Sequence, residues 1–231
     1  MTTNDELLLM EMLYMNSQCY AQGHGCSVVW DIDNTEPHYI KTAFVPSFNL
    51  QQMKANEITG TPVFNMLYLH TAEKEDVINN LRSFMSLYAE WIKEQRLLGS
   101  SEKYATYSDA ATKALDTCEG ILNRIIHSID LLDEDNGFAW IAFKYANEAM
   151  YLQRCKTIEK KDGAEAINPE KINWYPFQLA FILLEIASFV EPDGEDRKLV
   201  DLLWFPTGGG KTEAYLGIAA FEIFYRRLSN P

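Results

Sequence analysis

The chain has 231 residues, with 20 Lys+Arg against 33 Asp+Glu and a formal net charge of −13 at pH 7. At 47% hydrophobic and 13% aromatic, it carries enough apolar material for a core in one or two domains, which excludes a disordered tail. The acidic balance argues against a general nucleic-acid coat, because gripping phosphates needs clustered Lys and Arg, although it leaves room for a local basic groove.

The longest apolar run, Leu179–Leu184, stops at Glu185, well short of the roughly 20 residues of a membrane helix. Asp5, Glu6 and Glu11 stand where a secretory signal is basic and apolar. Cys19, Cys26, Cys118 and Cys155 form no CxxC pair, which suits a reducing compartment. A cytoplasmic protein without a membrane segment is expected.

In chain order, Asn4 is an N-cap for a first helix running through Leu7, Leu8, Met12 and Met15 to about Gln22, where Gly23-His24-Gly25 stops it. Two strand-like runs follow, Ser27–Ile32 and Tyr39–Phe48, separated by Asp-Asn-Thr-Glu-Pro turn chemistry. They predict a small β element near 27–70. Cys19, His24 and Cys26 supply three metal-ligand types without an obvious fourth, so a structural zinc is disfavoured against a turn.

From Thr71 the period becomes helical, with Val77, Leu81, Phe84, Tyr88 and Ile92 on one face. Ala111, Leu115, Cys118, Leu122, Ile125, Ile129 and Leu132 alternate steps of four and three, making Cys118 a core position. Phe138, Ile141, Tyr145, Ala149 and Leu152 predict the buried stripe of a third helix. Residues 1–155 are therefore expected to form a mostly helical N-terminal domain. Residues 156–173, with Lys156, Lys160, Lys161 and Lys171, suggest a linker or surface insertion, in which the lysines are the best candidates for a DNA contact. Residues 174–231 make a third part. In it Phe177–Val190 predicts a buried helix and Leu199–Phe205 a short strand.

That strand leads into Pro206-Thr207-Gly208-Gly209-Gly210-Lys211-Thr212 and then a helix through Ala214, Ile218, Phe221 and Phe224 to Arg226 and Arg227. Glycines let successive N–H groups turn toward phosphate oxygens. Lys211 can reach the β- and γ-phosphates of ATP, Thr212 can ligate Mg2+, and the helix adds its positive end. Thr207, Gly208, Gly209, Gly210, Lys211 and Thr212 are thus the candidate phosphate site, with Lys211 and Thr212 the catalytic pair. The strict motif wants Gly six places before Lys211, where Phe205 stands; helicases commonly have Ala there.

The stretches Pro176–Leu184, Asp196-Arg197 and Leu199–Gly217 resemble the superfamily 2 helicases of bacterial DISARM-type anti-phage systems, the DrmA-like family. Gly23–Cys26, Tyr88–Ile92 and Ala142–Met150 resemble its N-terminal region more weakly. The resemblance implies an ATP-dependent DNA translocase or helicase working with other defence-system subunits. It places Gln178 where a glutamine reads adenine, a task suited to an amide that both donates and accepts. It also implies the start of a RecA-like α/β ATPase lobe after a mainly α region with a small β element. The acidic pair and arginine fingers of such motors follow the phosphate loop, so the chain is expected to be an N-terminal portion, inactive alone, whose remaining lobes lie in cis or on a separate chain.

Two other classes compete. Val28–Thr35 places Asp31 and Asp33 as in the first motif of haloacid-dehalogenase-type phosphatases, with Asp31 as nucleophile and Asp33 as acid/base, although the βαβ alternation of that fold is missing downstream. The alternative is a non-enzymatic interaction module of a multi-subunit complex, with the helices of 71–155 as a docking platform.

Overall fold

The computed structural model describes residues 4–15, 19–33, 36–43, 60–134, 137–204 and 208–229. Among them the fold is mainly helical, with one two-stranded sheet. They divide into two compact units, Met1–Gln52 with Arg96–Ala114, and Met53–Gln95 with Leu115–Pro231.

In the first unit, α1 (Asn4–Tyr14) is shorter than the predicted run to Gln22 and buries no residue. Without a packed face, a helix of this length gains little from propensity alone. Lys113 forms an ion pair with Asp5 in its first turn. Strands β1 (Ser27–Asp33) and β2 (Glu36–Ala43) pair antiparallel from Ser27↔Ala43 to Asp33↔Glu36. Glu36 and Pro37, predicted as turn, are therefore part of the ladder. Pro37 is tolerated because each strand has an unpaired edge. Residues 44–50, which hold the predicted end of the second strand, lie outside the described residues. Between Trp30↔Ile40 and Ile32↔Pro37 the register shifts, and Asp31 Oδ1 accepts from Tyr39 N at 3.1 Å across the irregularity. Asp31 thus serves a bulge in an antiparallel hairpin, not the carboxyl end of a parallel strand that phosphatase chemistry uses.

The second unit holds the larger core. A 3-10 turn at Pro62–Phe64 and α2 (Met66–Thr71) follow the hairpin, so most of 62–71 is helical where β structure was predicted, with extended Asn65 between them bridging to Asn173. Helices α3 (Lys74–Gly99) and α4 (Ser108–Asp133) contribute to both units. They bury most of the predicted stripes: Val77, Leu81, Phe84 and Ile92 on one, Leu122, Ile125, Ile129 and Leu132 on the other, while Tyr88 and Cys118, predicted on the same faces, are partly buried against the core.

The third long helix, α5 (Phe138–Asp162), buries a different face from the predicted one. Phe138, Ile141, Tyr145 and Leu152 are exposed, whereas Ala139, Ala142, Phe143, Ala146, Asn147 and Met150 are buried. Three alanines on that face let α2 and α7 (Lys211–Ser229) approach closely, with Phe143 and Met150 filling the space beside them and Phe138 and Tyr145 left at the margin. Tyr145 meets Phe224 of α7 there, ring centroids 5.4 Å apart.

Helix α5 continues to Asp162, so residues 156–162 extend it. Beyond Gly163 the chain makes two 3-10 turns and returns to the core. Ile172 and Trp174 are buried, Met66 N donates to Ile172 O at 3.0 Å, and Trp174 N donates to Phe64 O at 2.8 Å. Trp174 Nε1 donates to buried Asn147 Oδ1 at 2.8 Å, and Asn147 Nδ2 returns a bond to Phe143 O. Helix α6 (Pro176–Val190) follows, buried on most sides and packed on α7.

Candidate functional site

The site lies in the second unit, where α6, the segment 195–204 and the start of α7 meet. Residues 199–204 form no strand among the described residues, in contrast to the predicted run. The side chains nevertheless alternate as they would on one. Val200, Leu202 and Trp204 are 97%, 83% and 71% exposed, while Asp201 and Leu203 turn inward. A strand is defined by its partners, and no sheet neighbour is present to supply ladder hydrogen bonds.

Thr207, with Phe205 and Pro206, lies outside the described residues. Gly208 and Gly210 take φ of +83° and +89°, the left-handed region that glycine enters without strain. At Gly208 a Cβ would meet open space. At Gly210 a Cβ would stand 2.6 Å from Gln178 Nε2 and 3.5 Å from Glu213 Oε2. Helix α7 begins at Lys211, so the loop ends on its positive pole, with Lys211 half-buried and Thr212 exposed in the first turn. A helix start of this kind presents first-turn N–H groups and the positive end of the dipole beside the glycine backbone. Glu213 in the same turn complements the dipole but adds a negative charge beside Gly210.

Gln178, buried on the first turn of α6, is brought to this loop. Its Nε2 donates to Gly210 O at 2.7 Å, and its Oε1 accepts from Tyr175 N at 2.8 Å. One amide thus caps α6 and fixes the last glycine before Lys211. Gln178, Gly208, Gly209, Gly210, Lys211 and Thr212 are neighbours, although 32 residues separate Gln178 from Gly210.

One group near the loop carries no signal in its local sequence. Arg124 of α4 donates to both oxygens of Asp201, Nη1 to Oδ1 at 2.9 Å and Nη2 to Oδ2 at 2.7 Å, and from Nε to Asp196 Oδ1 at 3.1 Å. Arg124 holds the Asp201 carboxyl below the ordinary carboxylate range. Glu185 of α6 is pushed up, first by burial and then by the charge of Asp201. Spacing could not have exposed this cluster, because its members lie on two helices and a loop.

The hairpin Asp31 belongs to the other unit and joins none of these groups. Among the described residues no three His, Cys, Asp or Glu side chains converge as a metal site, and no helix is long and apolar enough to cross a membrane.

The described residues form a mainly helical protein in which a glycine turn opens a helix, with a buried glutamine against its last glycine. No family model matches the chain. Over 233 aligned residues, 94% of the chain, it is 36% identical to the DISARM protein DrmA of Bacillus paralicheniformis. The alignment covers 20% of that protein, so the chain spans about a fifth of its relative's length. The likeness seen most clearly from Pro176 onward therefore extends over nearly the whole chain.

Proposed function

We propose that the chain is part of an ATP-dependent DNA helicase or translocase of a phage-defence system, and that its C-terminal part opens the RecA-like lobe that binds nucleotide. The observation that carries this reading is the loop itself: left-handed glycines at 208 and 210 deliver Lys211 and Thr212 onto the start of α7. The DrmA likeness supports the defence role and the company of other defence subunits.

In this reading the backbone of Gly208–Gly210 holds the phosphates, with Thr207 at the head of the loop. Lys211 places its ammonium by the β- and γ-phosphates, which lowers the cost of the charge developing on them. Thr212 Oγ1 is the ligand offered to Mg2+, which supplies charge neutralisation when bound. Gln178 already orients Gly210, and its remaining N–H and lone pair suit an adenine edge. The exposed row Val200, Leu202 and Trp204 supports a RecA-like arrangement, since it is the face a neighbouring strand or sheet layer would cover. DNA engagement and the acidic and arginine groups of hydrolysis fall to the rest of the motor, in the cytoplasm. The same uncovered row also favours the second reading, an interaction module whose partner pairs with 199–204.

Binding of a fluorescent ATP analogue to the full-length protein, with and without Mg2+, tests the proposal. Lys211→Ala is expected to abolish binding and DNA-stimulated hydrolysis; unchanged binding would favour the interaction module.

A further inference from the structure

Resting on the phosphate-loop reading, we infer that Arg124 is a positioning residue for nucleotide binding, tying α4 of the helical region to the segment that delivers the loop. Three observations carry it. The guanidinium reaches both Asp196 and Asp201, which bracket the run leading from α6 toward Gly208, and its fork on Asp201 fixes direction as well as distance.

The same run is otherwise weakly held. Leu199, Val200, Leu202 and Trp204 are exposed, and no ladder hydrogen bond restrains 199–204. Its inward anchors are Asp201 on Arg124 and Leu203 on the core.

The cluster is also a poor choice for stability alone. Arg124, Asp196 and Asp201 have side chains only 17%, 17% and 19% exposed, and Asp196 Oδ2 is buried with no hydrogen-bond partner. Largely buried ion networks of this kind gain little over apolar packing, which leaves the fixing of a geometry as the role this one fits. Glu185 joins the cluster seven residues beyond Gln178 on α6. One arginine therefore relates the helix that holds Gly210, the chain that leads to it, and α4. His127 to Glu191 at 2.8 Å and Ser128 Oγ, which accepts from Ala187 N at 3.2 Å, continue the same α4 face along α6.

Binding of a fluorescent ATP analogue to the full-length protein decides the matter, with Arg82→Met as control. Arg82 also bridges two aspartates, Asp130 at 2.9 Å and Asp133 at 3.0 Å, and pairs with none of the described residues in 195–212. Arg124→Met is expected to weaken binding roughly 3- to 30-fold, and to raise KM for ATP by a like factor while the saturated rate holds. Arg124→Lys is expected to recover part of the loss, and Arg82→Met to bind as wild type. Should Arg124→Met fail to fold, Asp201→Asn carries the same expectation in milder form. Wild-type affinity in Arg124→Met, alongside lost affinity in Lys211→Ala, would overturn the inference alone, as would equal losses in the Arg82 and Arg124 variants. Wild-type affinity in Lys211→Ala would instead remove the phosphate-loop reading on which it rests.

Discussion

At Gly210 the demand on a single residue is twofold, since its φ of +89° disfavours any side chain and a Cβ would stand 2.6 Å from Gln178 Nε2. Gly210→Ala is expected to cost about 1–3 kcal/mol and to break the Gln178 contact, read as a lower melting temperature with a disproportionate loss of nucleotide affinity. Glu185 makes a different kind of prediction. Burial raises its carboxyl, so the folded chain holds its proton more tightly than the unfolded one. That contribution favours the fold at acid pH and is lost as pH rises through the raised folded value. Asp201 works in the opposite sense: its depressed carboxyl stabilises the fold above the ordinary range, and this is lost as pH falls through the folded value. Glu185→Gln should therefore melt higher than wild type at neutral pH, and the advantage should vanish below about pH 3, where the carboxyl is protonated in either state. Thermal melts across that range check it, and an advantage that grew on acidification would contradict it.

Among elements, the crossing of α6 and α7 depends on Gly217. A Cβ there would lie 2.7 Å from Ile182 Cδ1 and 3.0 Å from Trp174 Cη2. Both neighbours belong to the packed core, so Gly217→Ala should destabilise by about 1–3 kcal/mol through overpacking. A chemical denaturation midpoint shift with unchanged slope would be the signature. Helix α5 shows where periodicity misleads. Its bulky residues Phe138, Ile141, Tyr145 and Leu152 keep helical spacing as well as the buried set does. Spacing alone cannot choose between two apolar faces of one helix; the partner's shape chooses. The buried face includes Asn147, whose side chain satisfies Trp174 Nε1. Asn147→Leu should leave that indole N–H without a partner and cost about 1–3 kcal/mol, again read from denaturation midpoints.

For the whole molecule, a ligand that binds only the folded state raises its stability by mass action. Mg-ATP at about a hundredfold over its Kd should add about 2.7 kcal/mol to the full-length protein, seen as a thermal shift that Lys211→Ala removes. The −13 charge does not oppose the proposed site, which would hold phosphate through backbone N–H groups, one helix pole and the single cation of Lys211. The glycine turn at 208–210 and the helix it opens were legible in the sequence because such a turn is local: its geometry follows from consecutive residues. The α3 and α4 stripes were legible for a similar reason, each presenting one apolar face. The α5 face, the short α1 and the helical course of 62–71 were not, since each depends on what packs beside it. By itself, then, the sequence determined the loop, the amphipathic helices and the kinship that Gln178 and 199–217 suggest. The tertiary structure alone decided that Gln178 holds Gly210 and that Arg124 gathers Asp196 and Asp201, because such contacts arise only when distant segments are brought within hydrogen-bonding reach.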